Sequence, residues 1–253
     1  MGTVAGLSGD SEGETSVPDI GPRGRPVSRP QGPQATSVLI VDDHLAFAEA
    51  LAIAIGTYPD LDCVGTPGTI AECLAAVEES CPDVVLIDIR LPDGDGIEAI
   101  PRIRAVHEAA RILVLTGYAD TDVLARAASA GASGFIPKES PIRAVLEGIR
   151  AVRDGRMLVD GSTLAAILGR VKVSRGGPEG GVTPDRRLTA RELSVLALMR
   201  QGLDSHAIAE RLGISLHTCR GHQKSILAKL EAHSQLEAVV VAARTGLIDP
   251  LEV

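Results

Sequence analysis

From residue 37 onward, short apolar runs alternate with longer stretches in which apolar residues recur every three or four positions. The runs fall at 37–41, 61–65, 84–87, 111–115 and 133–136. They are short and rich in Val, Ile and Leu, as strands buried on both faces are. Between them the spacing predicts helices. Asp95 and Gly96 precede one over 97–106, Asp120 precedes one over 123–130, and Ser140 with Pro141 is placed to cap the last. Five strands and five helices in alternation predict an α/β domain, a five-stranded doubly wound parallel sheet covered on both faces. Such sheets bind ligands at the carboxyl ends of their strands.

After residue 154 the pattern changes. A weak helical segment at 162–168 is followed by 175–184, rich in Gly and Pro, which reads as a flexible linker. The remaining residues carry only helical periodicity. Thr189 with Glu192 three positions on forms a capping box, and Leu193, Leu196, Ala197 and Met199 are expected on the inner face of that helix. A short helix over 205–212 meets Gly213, and Ser215 starts a longer one running to about 230. A fourth spans about 234–244. Two helices joined by a tight glycine turn predict an all-α helix-turn-helix domain of four helices. Residues 1–36 hold seven Gly and five Pro without periodicity and read as a disordered tail. The expected organisation is therefore a tail at 1–36, an α/β domain at 37–154, a linker with a short helix at 155–187 and a helical domain at 188–253.

Charge refines this division. The chain carries a net charge of -8, but residues 37–160 hold 10 basic and 20 acidic side chains, whereas residues 183–253 hold 9 and 8. The acidity belongs to the first domain, which leaves the second free to approach phosphates. Four cysteines, Cys63, Cys73, Cys81 and Cys219, form no C-x-x-C pair and read as reduced packing residues. No apolar run approaches the roughly eighteen residues of a membrane span, and the N-terminus lacks the pattern of an export signal. A cytoplasmic protein with no membrane partner is expected.

The candidate chemistry sits at the strand ends. Asp42 and Asp43 follow the first strand and Asp88 the third. Carboxylates gathered this closely repel one another unless a hard divalent cation such as Mg2+ sits among them. Thr116 ends the fourth strand with a hydroxyl, and Lys138 follows the fifth with a cation able to contact a phosphoryl oxygen. Any one of these is an ordinary strand-end residue; five on one rim form a constellation.

That constellation resembles the receiver domains of two-component signalling, which have a flavodoxin-like fold. The match covers about residues 37–153. It runs through Val-Asp-Asp-His at 41–44, Leu-Ile-Asp-Ile-Arg-Leu-Pro-Asp-Gly-Asp-Gly at 86–96, Thr116 and Phe-Ile-Pro-Lys at 135–138. The resemblance implies that Asp88 is the phosphoacceptor, supplied by a partner sensor histidine kinase. It also implies Mg2+ held by Asp43, Asp88 and the backbone carbonyl of Arg90, with Asp42 acting largely through water. Thr116 and Phe135 are implied as the switch pair that responds to the phosphoryl group. Phe135 lacks the hydroxyl that Tyr often supplies there, so readout by packing is expected.

In the C-terminal part, Leu-Thr-Ala-Arg-Glu-Leu at 188–193, Gly202, Ile208-Ala209, Leu212-Gly213-Ile214-Ser215 and Lys229-Leu230 resemble the LuxR-type helix-turn-helix. Together the two halves resemble a NarL/FixJ-type response regulator, a transcription regulator that binds double-stranded DNA. On the helix from Ser215, Cys219, Ile226 and Leu230 recur at core spacing, which turns His217, Arg220, Gly221 and Lys224 outward. Thr218 and His222 complete the candidate DNA-contacting set, His222 packing or touching a phosphate rather than reading a base. Gly221 weakens the helix, and it either removes a side chain that would contact DNA or permits close approach to it. Leu236, Val239, Val240 and Ala243 give the last helix a broad apolar face. In the family that helix pairs two effector domains, so a homodimer is implied in the phosphorylated or DNA-bound form.

Two other readings use the same residues. A small phosphotransferase or nucleotide-binding enzyme would need a Gly-rich phosphate loop after the first strand, where Asp43 and His44 stand instead. A phosphorylation-independent regulator would use the first domain as a dimerisation or ligand module, and the intact acids, Thr116 and Lys138 disfavour it. No enzyme activity is expected beyond phosphoryl chemistry at Asp88. An acidic receiver on a flexible tether is expected to occupy the DNA-facing surface until phosphorylation releases it.

Overall fold

A computed structural model describes residues 35–117, 120–171 and 187–248. The strands are β1 (Thr36–Val41), β2 (Leu61–Gly65), β3 (Val84–Asp88), β6 (Arg111–Thr116) and β7 (Gly134–Pro137), with a two-residue hairpin, β4 (Arg90–Leu91) and β5 (Gly94–Asp95), after β3. The five long strands form one parallel sheet in the order β2-β1-β3-β6-β7. Both faces are apolar because alternate side chains go to opposite cores. Val38 and Ile40 of β1, Leu86 of β3, and Leu113 and Leu115 of β6 pack under helices α1 (Leu45–Gly56) and α5 (Ile142–Arg153). Leu39, Val41, Val85, Ile87, Ile112 and Val114 pack under α2 (Ile70–Ser80) and α3 (Gly96–Val106).

Caps fix where these helices begin. Asp95 accepts from the Ile97 amide at 2.8 Å, and Asp120 accepts from Val123 at 2.9 Å at the start of α4 (Thr121–Ser129). Helix α5 departs from expectation: its N-cap is Pro141, with no side-chain bond, while the Ser140 amide closes a turn onto the Pro137 carbonyl. Strand β1 starts at Thr36, which is buried, one residue inside the expected tail; residues 1–34 of that tail lie outside the described residues. The Gly- and Pro-rich stretch 175–184 lies outside them as well. The cysteines are all free, but Cys81 is no packing residue. It is exposed and holds the left-handed C-cap of α2 at φ 45°. Burial pushes the Cys73 thiol up to about 12, consistent with an inert core residue.

The second domain contains α7 (Ala190–Arg200), α8 (Ser205–Leu212), α9 (Leu216–Leu230) and α10 (Gln235–Arg244). The Thr189–Glu192 capping box is formed in both directions, and Gly213 adopts the left-handed conformation that turns α8 into α9. On α7 the buried residues are Val195, Leu196, Leu198 and Met199 with Glu192, while Leu193 and Ala197 face outward. The helix turns one position away from the apolar face expected because Glu192, drawn inward by Lys229, anchors the other side. Helix α6 (Gly161–Arg170) is the largest departure. Expected as a weak linker helix, it buries Leu164, Ile167 and Leu168 in one core with Ala125 and Ala128 of α4 and with α7–α10.

Candidate functional site

The parallel sheet delivers the five expected residues to one rim. Asp42 follows β1 and is fully buried; Asp88 ends β3 and Thr116 ends β6, both nearly so. The Lys138 amide donates to the Thr116 carbonyl at 2.8 Å, which sets the lysine beside β6 just as β7 ends. Its Nζ stands 2.7 Å from Asp42 Oδ2 and 2.8 Å from Asp88 Oδ2. Burial opposes the lysine's charge, but the two carboxylates outweigh it and raise its pKa, so it stays cationic. The ammonium also lies 5.6 Å from the Phe47 ring centre. Thr116 Oγ1 is buried and has no hydrogen-bond partner. A buried hydroxyl left unpaired costs free energy, so a hydrogen-bond partner arriving at this rim would be favoured.

Asp43 is part-exposed, and the His44 ring, itself exposed, lies 3.0 Å from its carboxylate and 3.3 Å from that of Asp42. Ligand atoms of Asp42, Asp43, His44 and Asp88 all fall within 4.8 Å of one another. Oxygen donors from three carboxylates suit a hard cation, so the residues present fit Mg2+. Arg90 sits in the β4–β5 hairpin with its side chain in solvent. The hairpin is tied back to the site by the Gly96 amide, which donates to the Ile89 carbonyl at 2.7 Å. A Cβ on Gly96 would lie 1.9 Å from the backbone oxygen of Asp88 itself.

Phe135 lies half-buried on β7, against both the receiver-side core and the core of the helical domain. With Thr116 it lines a cleft of about 660 Å³ whose far wall is Met157, Leu158, Val159 and Thr163.

At the other candidate site, Cys219, Gln223 and Ile226 turn inward on α9, and Ser205 donates to Gln223 Oε1 at 2.8 Å. His217, Thr218, Arg220, Gly221 and Lys224 are exposed, and His222 is half-buried. The Thr218 hydroxyl is already engaged by the N-cap Ser215, 2.8 Å away. The expected covering of this face is not what the structure shows. The covered surface is α10, whose Leu236, Val239, Val240 and Ala243 are fully buried within the chain. The Arg111 guanidinium donates to the His233 carbonyl, and Ser234 Oγ to the Ala132 carbonyl at 2.8 Å, so the start of α10 is clamped to the α/β domain.

Comparison with known proteins gives these sites a family. The response regulator receiver domain matches residues 38–150, and the bacterial regulatory proteins of the luxR family match residues 186–242. The DNA-binding transcriptional activator DevR/DosR of Mycobacterium tuberculosis is 34% identical over 205 residues, covering 81% of this chain and 93% of that protein. This chain is a two-component response regulator of the NarL/LuxR family. The transcriptional regulatory protein LiaR of Bacillus subtilis is 31% identical, over 84% of this chain and 99% of its own. Among solved structures, a LuxR-family two-component response regulator from Aurantimonas sp. SI85-9A1 aligns with a TM-score of 0.50 at 31% identity, over 55% of this chain and all of that one. As a member of its family, this response regulator is a DNA-binding transcription regulator. Among the described residues no helix is long and apolar enough to cross a membrane.

Gly221 separates two explanations. A Cβ there would meet nothing within 4 Å, so no neighbour in the chain requires glycine. Gly221→Ala should therefore stabilise the second domain by about 1 kcal/mol in thermal or denaturant unfolding. Should it also weaken DNA binding, glycine is there for the close approach of DNA; unchanged binding would refute that role.

Proposed function

We propose that this response regulator is switched by transfer of a phosphoryl group from a partner sensor histidine kinase to Asp88, and that the phosphorylated form binds double-stranded DNA as a homodimer in the cytoplasm. The observation that carries the reading is Lys138 held 2.7 and 2.8 Å from two buried carboxylates, beside a buried threonine hydroxyl with no partner. A carboxylate oxygen of Asp88 attacks phosphorus and the donor's leaving group departs, which leaves an acyl phosphate. Mg2+ held by Asp43, Asp88 and the Arg90 carbonyl, with Asp42 behind it, would supply positive charge to the transferring group. Lys138 exchanges its contact with the Asp88 carboxylate for a phosphoryl oxygen. Thr116 gains the hydrogen-bond partner it lacks. No activity on an external substrate is part of this reading, only the making and breaking of the Asp88 phosphate. In the second domain His217, Arg220 and Lys224 present the DNA-facing side of α9, with Thr218, Gly221 and His222 around them.

Incubation with acetyl phosphate and Mg2+ should place one hydroxylamine-labile phosphoryl group on the full-length protein. Chelation of the metal or the change Asp88→Asn should remove it. Undiminished labelling of Asp88→Asn would reject the assignment.

A further inference from the structure

We propose that residues 156–159 form a strap that couples the phosphorylation site to α10 by docking on the open edge of β7, and that its release is what frees α10. The proposal rests on the reading of Asp88 given above and extends it to the route by which the second domain responds. After α5 the chain turns at Gly155 and runs along β7 as a one-residue extension of the sheet, a parallel bridge between Gly134 and Leu158. Two backbone bonds make it: Leu158 N–H to the Ser133 carbonyl and Phe135 N–H to the Leu158 carbonyl, each 3.3 Å. Both are longer than the usual range of about 2.7–3.2 Å. Such a bridge is weak enough to break during a switch.

The side chains are sorted as on a strand. Leu158 packs into the core under α1 and α5, while its neighbours Met157 and Val159 pack into the core of the helical domain. The receiver is shaped to take Leu158. A Cβ on Gly134 would lie 2.6 Å from Leu158 Cβ and 2.8 Å from its carbonyl oxygen, and one on Gly148 would lie 2.5 Å from Ile136 Cδ1 and 2.9 Å from Leu158 Cδ2.

The strap touches both ends of the pathway. Its residues 157–159 form the wall of the cleft that Thr116 and Phe135 share, and the Phe135 amide is one of its two attachments. Inward movement of the Phe135 ring as Thr116 turns toward a phosphoryl group would take away the surface that Met157, Leu158 and Val159 share with it across the cleft, and so weaken the strap's seat. Beyond the strap, Asp160 caps α6 by accepting from the Thr163 amide at 2.9 Å, and α6 packs against α4, which in turn packs against α10 in the same core. Gln235 on α10 donates to the Gly155 carbonyl at 2.6 Å, so α10 also grips the strap's start directly. Loss of the bridge therefore loosens α6 and α10 together.

Gly134→Ala tests this without any phosphodonor. Gly134 has no positive φ, and the three atoms nearest its Cβ all belong to Leu158, so the added methyl expels the strap and spares the sheet. In the full-length variant, hydrogen exchange at the Phe135 and Leu158 amides should rise tenfold or more. Light scattering should show dimer where the unphosphorylated parent is monomeric, and affinity for a duplex selected by the full chain from a randomised library should rise at least tenfold. Leu158→Ala, which empties the slot and leaves β7 untouched, should move all three in the same direction. Unchanged protection in Gly134→Ala overturns the proposal. So does lost protection with no gain in dimer or affinity, or a phosphorylated parent that dimerises with both amides still protected. Failure of the parent to be labelled would count against Asp88 as the phosphoacceptor, while these variants would still decide the strap.

Discussion

Gly96→Ala should abolish phosphorylation of Asp88 even though residue 96 carries no chemistry. The added methyl would sit 1.9 Å from the Asp88 backbone oxygen, 3.0 Å from its carbonyl carbon and 3.3 Å from Ile87 Cγ1. Two of these neighbours are backbone and cannot rotate away. The chain must shift at Asp88, at the hairpin that carries Arg90, or at both, and the proposed phosphoryl transfer is sensitive to displacements of an ångström. Overpacking of this kind costs about 1–3 kcal/mol. The expected result is a folded protein, destabilised by that amount in urea, with labelling by acetyl phosphate reduced at least a hundredfold. Labelling at the parent's rate would mean that the loop from 88 to 96 is not held as the structure has it.

Glu192→Ala is expected to be the most damaging single change in the second domain. The carboxylate is buried, accepts from the Thr189 amide at 2.7 Å, and binds Lys229 Nζ at 2.8 and 3.1 Å, with the Ser225 hydroxyl donating to it as well. Burial alone would raise its pKa, but Lys229, Ser225 and the Thr189 amide outweigh that and hold it at about 2. Removing it strips α7 of its capping box and leaves Lys229, which is partly open to solvent, without its counter-ion, a loss of about 1.5–3 kcal/mol. The pH dependence has a definite sign. The folded pKa lies below the unfolded one, so the stabilisation is present above about pH 4.5 and is lost as pH falls toward 2. Unfolding of the parent should show this loss in acid, and Glu192→Gln should be flatter over the same range. A Glu192→Ala protein as stable as the parent would contradict the buried network.

The strand ends were legible because they rest on two simple rules: buried parallel strands read as short apolar runs, and their carboxyl ends gather in space. Asp42, Asp88, Thr116 and Lys138 followed from those rules and are together in the structure. Other features depend on partners far away in the chain. Asp93 accepts from the amides of Ile70 and Ala71 at 2.8 and 3.0 Å and so caps α2 from the β4–β5 turn. Those backbone hydrogen bonds hold its carboxyl below the usual range. No local pattern announces a cap supplied from 23 residues away. Gln223 offers another case: on a helix read for its basic face, its burial depends on Ser205 of the preceding helix. Helix α6 looked weak because its apolar run, 164–168, is short and lies between Gly161 and Gly169. It is stable because α4 packs against it and its apolar residues join the core of the helical domain, which is a tertiary effect that periodicity does not carry. The surface that the second domain hides was misread for a related reason. Charge suggested what should repel or attract, whereas the apolar face of α10 decides which surface is buried.

The central claim is that a phosphoryl group on Asp88 controls DNA binding. Its most direct test is the affinity of the full-length protein for one selected duplex, measured at one salt concentration with and without acetyl phosphate and Mg2+, beside Asp88→Asn under the same conditions. The account predicts at least tenfold tighter binding on phosphorylation of the parent and no response from Asp88→Asn. Equal affinity of the two forms of the parent, with Asp88 shown to be phosphorylated, would contradict it.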